Sequence, residues 1–173
     1  MGLLKNLFKR PEKLAYAPVT KTLPCKCEHH NVTGVSHYVN NIMSLPLDNY
    51  EYSYTKKELI DNGLIGEPVY KYNYSITRGE LREEPGNKYD SNAIMVLFGD
   101  VHVGYIKKGS CSHIKNLLST DVIKNVCGTI RGGDYKIITE FEDDDAKDGY
   151  SYELEKCKNS NFYIDLDVYI KSE

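Results

Sequence analysis

The sequence predicts a mainly β protein built as a closed or nearly closed barrel with one or two short helices. Tyrosine is abundant, with 15 residues against four phenylalanines and no tryptophan, and such rings suit pleated, half-exposed strands. Short runs of alternating apolar and polar residues recur along the chain, separated by turn residues. Because a sheet of many short strands needs its edges paired or covered, a barrel is the expected arrangement.

The first predicted elements follow a leader and linker over residues 1–28. A strand is expected over Val32 to Tyr38, where the alternation begins. Thr55 and Glu58 then form a capping box, in which each side chain binds the backbone N–H of the other, so a short helix should end before Gly63. Further strands are expected over residues 69–76, 80–82 and 93–98.

The second half of the chain continues this pattern. Gly99 and Asp100 lie between β-type residues and are typical of a two-residue hairpin. A helix is predicted over Ser110 to Leu118, with its apolar residues on one face. Gly132 and Gly133 indicate another hairpin turn. The flanking and final strands are expected over residues 122–131, 135–141, 150–154 and 162–170, which gives a predicted domain over residues 29–171.

Charge is distributed unevenly along the chain. The formal net charge of −3 argues against generic attraction to a polyanion. Residues 101–131 nevertheless carry five basic residues and one acid, and could face phosphate, whereas residues 139–155 carry eight acids and one lysine. Charge runs are more often solvated faces, so these two assign no partner by themselves.

Cysteine content and hydropathy indicate the compartment. The five cysteines are an odd number, and the N-terminus has no apolar segment followed by a small-residue cleavage site. No run of 18 apolar residues is present, so no membrane span is expected. A reduced, cytoplasmic location is the resulting prediction.

One loop stands out between two predicted strands. Pro85, Gly86 and Asn87 favour a turn, and Asp90 and Asn92 can bind local backbone N–H groups that hold the loop before the next strand. Such a loop can present the ring of Tyr89 for base stacking and one carboxylate to accept a hydroxyl hydrogen bond. The spacing alone equally permits a core Tyr89 and an Asp90 that only caps the turn.

The segment REEPGNKYDSNAI at residues 82–94, followed by VGYIKK at residues 103–108, resembles the signature of the HIRAN family. The resemblance runs from Gly34-Val35 to near Ile170. It implies an OB-like barrel that binds nucleic acid and recognises the 3′ end of single-stranded DNA, as an accessory to DNA repair or processing. It also implies a helicase or nuclease as partner protein, since the family usually accompanies such modules.

The resemblance implies a role for each residue of the site. Tyr89 would stack on the terminal base, Asp90 would bind the free 3′-hydroxyl, and Lys108 would neutralise the adjacent phosphate. Lys107 is a second candidate for the phosphate, and Tyr105 would line the same groove.

The first strand departs from the family pattern. DNA-end-binding members carry an arginine and a tyrosine after the Gly-hydrophobic pair, whereas here Ser36, His37 and Tyr38 follow Gly34-Val35. His37 or Tyr38 could still stack on a base. Loss of the bidentate arginine contact should cost about 1–3 kcal/mol of binding free energy.

Other functions are weighed against this one. The sequence contains no P-loop, no Rossmann glycine pattern and no helicase motif, so the chain is not expected to be an enzyme. A protein-interaction or adaptor module without direct DNA binding is the alternative, favoured by the negative net charge and the missing arginine. A hydrolase using Cys111 and His113 ranks last, because side chains two apart at a helix start diverge.

A cofactor is not expected, with zinc as the lesser alternative. Cys25, Cys27, His29 and His30 offer thiolate and imidazole ligands within six residues. Paired cysteines of structural zinc sites are usually separated by two to four residues, and here only one residue separates them.

Overall fold

The computed structural model describes residues 25–147 and 149–172, and within these ranges the chain is mainly β, as the sequence predicts. Residues 1–24, most of the predicted leader, lie outside the described residues. The strands are β1 Cys25–Thr33, β2 Val69–Ile76, β3 Gly79–Glu83, β4 Ile94–Phe98, β5 Val101–Ile106, β6 Ile123–Glu142, β7 Tyr150–Cys157 and β8 Phe162–Lys171. The helices are α1 Val39–Ile42, α2 Lys56–Asp61 and α3 Lys108–Ser119, with short 3-10 helices at Val35–His37 and Tyr50–Ser53.

The described strands form one antiparallel sheet with the order β2-β6-β8-β1-β5-β4-β3, and β7 pairs with residues 135–142 of β6. No backbone pairing in the described ranges joins β3 back to β2 or β6, so the sheet is open and the expected barrel is not confirmed. β3 approaches β6 at Gly79 instead, which lies against the Val126 side chain. A cleft of about 670 Å³ lies along this seam, where hydrogen bonds would otherwise close the sheet.

The main core lies between the sheet and α3. The helix contributes Cys111, Ile114 and Leu117, and the sheet contributes fully buried residues such as Val96 and Leu166. Full burial of each aliphatic side chain contributes about 1.5–3 kcal/mol to stability. This packing fixes the start of α3 against the end of β5, which is where the candidate site lies.

The helices confirm the two predictions made from capping and periodicity. Thr55 and Glu58 form the predicted capping box at the start of α2. The helix predicted over residues 110–118 is α3, which begins two residues earlier. α3 is the longest described helix at 12 residues, and none of the described helices has the length and hydropathy needed to cross a membrane.

The start of the domain differs from the prediction. β1 begins at Cys25 and pairs with β8 as far as Asn31, so residues 25–28, assigned to the leader, belong to the sheet. The strand predicted over Val32 to Tyr38 ends instead at Thr33, because Gly34 adopts a left-handed conformation with φ of 72°. His37 and Tyr38 consequently lie at a helical turn and not on a strand.

The hairpin predicted at Gly132-Gly133 is wrong, because β6 passes through both glycines as one 20-residue strand. Gly133 has φ of 73°, and the register with β2 shifts between Tyr70 and Tyr72, which marks a bulge. A Cβ atom on Gly133 would lie 2.6 Å from the ring of Tyr72. The glycine pair therefore allows an aromatic ring to pack over a bulged strand, a use of glycine that local sequence does not distinguish from a turn.

Candidate functional site

The loop between β3 and β4 is held by its own side chains. Asn87 Oδ1 accepts hydrogen bonds from the backbone N–H groups of Tyr89 (2.9 Å) and Asp90 (3.1 Å). Asp90 Oδ1 accepts from the N–H of Asn92 at 2.9 Å, and the Asp90 carbonyl accepts from the N–H of Ala93 at 3.0 Å. These bonds fix the loop without helix or strand, with Asn87 at its centre.

The ring of Tyr89 projects from this loop into solvent. Its side chain is 81% exposed, which excludes the alternative of a core tyrosine. The Lys88 ammonium group lies 4.8 Å from the ring centroid, a cation–π distance. An aromatic face is therefore available on a fixed backbone.

The hydroxyl of Tyr105 links this loop to the chain after β1. It donates to Glu84 Oε2 at 2.9 Å and accepts from Asn87 Nδ2 at 3.3 Å and from the Tyr38 hydroxyl at 3.2 Å. Burial, followed by these bonds, raises the pKa of Tyr105 far above its usual range. The hydrogen bonds from Asn87 and Tyr105 lower the pKa of Glu84, so this carboxylate stays ionised as the acceptor.

His102 completes an aromatic cluster that the sequence did not predict. Its ring centroid lies 4.2 Å from that of Tyr38 and 4.8 Å from that of Tyr105. Burial lowers the pKa of His102, whose Nε2 donates to the Gly104 carbonyl at 3.0 Å. Strand alternation would put residues 102 and 105 on opposite faces, but an extra β5 residue at Val103 shifts the register and brings them together.

Two adjoining clefts meet at this loop and share Asn87, Tyr89 and Tyr105. The smaller one, about 210 Å³, is lined also by Asp90 and Lys108, so it brings together four of the predicted residues. The larger one, about 520 Å³, is lined also by predicted His37 and Tyr38 and by Gly34, Glu84, Gly86 and Lys88. Lys107 is exposed at the start of α3 and lines neither cleft.

The N-terminus of α3 faces the smaller cleft, since Lys108 and Cys111 in its first turn both line it. The positive end of the helix dipole and the Lys108 ammonium group together favour an anion there.

The Cys111 thiol is buried against the Ile106 and Lys107 carbonyls. Burial, with the charge of Asp90 as a smaller cause, raises the pKa of this thiol. His113 Nε2 instead lies 2.7 Å from Glu28 Oε2, so the catalytic pair of Cys111 and His113 that a hydrolase would need is not formed.

The basic stretch over residues 101–131 does not form one positive face. Lys115 pairs with Glu83 at 2.9 Å, and Arg131 pairs with Asp165 on the sheet. Lys108 forms no ion pair with a described residue and is the member of the stretch that lines the site. Positive charge at the clefts is therefore modest.

The four predicted zinc ligands do not form one site. Strand alternation along β1 puts Cys25, Cys27 and His29 on the outer face, whereas His30 lies on the other face, 3.7 Å from Glu28. The four residues are close together in the sequence, but the extended backbone separates His30 from the three on the outer face.

Comparison of the chain with models of known protein families, with curated proteins and with solved structures found no match. The resemblance to the HIRAN family therefore rests on the residues at 82–94 and 103–108. The function proposed below is argued from these residues and from the geometry of the two clefts.

Proposed function

We propose that this chain is a nucleic-acid-binding module of the HIRAN type that recognises the 3′ end of single-stranded DNA. The observation that carries the proposal is the exposed ring of Tyr89, held on a hydrogen-bonded loop at the border of two clefts. Base–aromatic stacking is worth about 1–3 kcal/mol per base. A ring on a loop that is already ordered provides this without the cost of ordering the loop on binding.

The two clefts suit different parts of a strand end. The larger cleft has a volume within the range of small-molecule sites and offers the rings of Tyr38, Tyr89 and His37 to a base. The smaller cleft offers Lys108 and the N-terminus of α3 to a phosphate and the carboxylate of Asp90 to a hydroxyl. In this arrangement the terminal nucleotide stacks on Tyr89 and its 3′-hydroxyl donates to Asp90.

Asp90 supplies the selectivity for a free end. Only its Oδ1 accepts a hydrogen bond from the described residues, which leaves the other carboxylate oxygen for a ligand. A hydroxyl can donate to that oxygen, whereas a terminal 3′-phosphate would bring like charges together and be repelled. An accessory role in DNA repair, beside a helicase or nuclease partner, is part of the same proposal and follows from the family resemblance.

Fluorescence anisotropy with short labelled oligonucleotides tests this function. The wild-type chain should bind a free 3′-hydroxyl end more tightly than a 3′-phosphate end, and Asp90→Asn should remove the difference. Tyr89→Ala should weaken binding by about 5- to 150-fold. Tyr50→Ala is the matched control, since Tyr50 is 71% exposed and lines neither cleft.

Equal binding of both ends, with no effect of Asp90→Asn, would reject end recognition. An adaptor that binds protein and not DNA is the second candidate, favoured by the ion pairs that occupy Lys115 and Arg131. Absence of binding to every oligonucleotide at low salt, by a chain with an intact fold, would select that candidate.

A further inference from the structure

The outer face of the sheet brings together metal-binding side chains from its first and last strands. His29 on β1 is paired with Asp167 on β8, and Cys27 lies two residues before His29 on the same face. The residues flanking Asp167, Leu166 and Val168, are fully buried, so Asp167 itself points outward. The cluster therefore depends on the pairing of strands that are 138 residues apart.

We propose that Cys27, His29 and Asp167 bind a divalent metal ion of the zinc type. Their sulfur, nitrogen and oxygen ligand atoms all lie within 4.8 Å of one another. Thiolate, imidazole and carboxylate are together the ligand set of zinc, whereas magnesium and calcium prefer oxygen ligands alone.

Small side-chain rotations suffice to close the site. Bond lengths of about 2.0–2.3 Å in a tetrahedron separate ligand atoms by about 3.6 Å. His29 Nδ1 and Asp167 Oδ1 lie 2.6 Å apart in a hydrogen bond. A metal ion between the strands replaces that hydrogen bond and the thiol proton of Cys27, so its binding releases protons.

A fourth donor lies in the same row of the sheet. Cys127 on β6 is paired with Asp167 on the side opposite His29, so the row reads His29, Asp167, Cys127 across three strands. Its thiol now contacts the Thr77 carbonyl at 3.6 Å. Three ligands from β1 and β8 thus define the site, and Cys127 or water is available for the remaining position of a tetrahedron.

The metal site is separate from the proposed nucleic-acid site. None of its three residues lines either cleft at the Tyr89 loop. A metal bound there would cross-link the first and last strands of the sheet and stabilise the folded chain by mass action. Failure of oligonucleotide binding would leave this inference unaffected, and the reverse also holds.

Titration of the reduced, metal-free chain with Co²⁺ tests the site, because thiolate ligation produces a charge-transfer absorption in the near ultraviolet. The wild-type chain should bind one equivalent of Co²⁺ and show this absorption. Added Zn²⁺ should displace the cobalt, and the absorption should then disappear. Cys27→Ser should lose the charge-transfer band if water is the fourth ligand, and should keep about half of its intensity if Cys127 supplies a second thiolate. His29→Gln and Asp167→Asn should each weaken binding by about tenfold or more.

Cys157→Ser is the matched control, since this thiol is also half-buried on a strand but lies on β7, outside the cluster. It should bind cobalt as the wild-type chain does. A missing band in the wild-type chain, or an unchanged band in Cys27→Ser, would overturn the proposal. If near-ultraviolet circular dichroism shows that Cys27→Ser is unfolded, then His29→Gln and Asp167→Asn decide, and wild-type affinity in both would overturn it.

Discussion

The hydroxyl of Tyr105 joins three parts of the candidate site. It connects β5 to Glu84 and Asn87 of the loop and to Tyr38 after β1. Because the Asn87 side chain also holds the backbone of Tyr89, the Tyr105 hydroxyl indirectly positions the exposed ring. Its removal should loosen the loop without emptying the core.

Tyr105→Phe should therefore destabilise the fold by about 1 kcal/mol, because three hydrogen bonds lose their shared partner at a half-buried position. Tyr38→Phe removes only one of these bonds and should cost less. Urea unfolding of both variants measures the difference. An equal cost for the two would show that the Tyr105 hydroxyl has no special role.

His102 gives the candidate site a pH dependence. Its ring is packed between Tyr38 and Tyr105, and burial lowers its pKa from the ordinary value of 6.5. Between the lowered pKa and 6.5 the unfolded chain binds the proton more readily than the folded chain. The stabilising effect of neutral His102 is thus present above 6.5 and lost as the pH falls through the folded-state pKa.

Relative to His102→Phe, the wild-type chain should lose stability as the pH falls from about 6.5 to the lowered folded-state pKa of His102, because phenylalanine keeps the ring but does not titrate. Urea unfolding at several pH values measures the difference in unfolding free energy between the two chains. The other histidines are common to both chains, so their contributions cancel in this difference. Parallel stability curves would contradict a lowered pKa for His102.

At the scale of elements, β6 shows how one strand serves two neighbours on one side. Residues 123–132 pair with β8 and residues 135–142 pair with β7, so the strand changes partner at Gly133. The bulge there requires a left-handed residue directly beneath the ring of Tyr72. A side chain at this position is opposed both by the backbone and by the ring.

Gly133→Ala should destabilise the fold by about 2–5 kcal/mol, the sum of left-handed strain and overpacking. Gly99→Ala is the matched control, since Gly99 also has positive φ, at 61°, but a Cβ there meets nothing within 4 Å. It should cost only about 1–2 kcal/mol. Thermal or urea unfolding measures both, and equal losses would show that the Tyr72 contact contributes nothing.

At the scale of the whole molecule, charge limits how the chain can bind nucleic acid. The net charge is −3, and two basic residues of the most positive stretch are occupied by ion pairs. Lys88 and Lys108 remain at the clefts beside Glu84 and Asp90. Contact with one or two phosphates is therefore expected, in place of extended tracking along a backbone.

The logarithm of the oligonucleotide binding constant should fall with the logarithm of salt concentration with a slope of about −0.7 to −1.4, the value for one or two phosphates of a single strand. Lys108→Ala should reduce the magnitude of the slope by about 0.7. Lys56 on α2 is exposed and lines neither cleft, so Lys56→Ala should leave the slope unchanged. A slope steeper than about −3 would contradict contact with so few phosphates.

Local features of the chain were predictable because their hydrogen bonds form within a few residues. The capping box of α2, the Gly99-Asp100 hairpin and the mainly β class all follow from such short-range preferences. The ordered loop at Asn87 belongs to the same group, since its bonds span two or three residues. The sequence therefore determined the fold class and the loop that presents Tyr89.

Features that depend on a distant partner were decided by the tertiary structure. β1 is a strand because β8 pairs with it, Gly133 is a bulge because Tyr72 packs on it, and His102 joins Tyr105 because β5 contains an extra residue against β4. Asp167 meets Cys27 and His29 only across paired strands. The alternation of residues along a strand predicts which side chains share a face of the sheet. Which of them meet across strands depends on the register with the neighbouring strand, and that register arises from long-range packing.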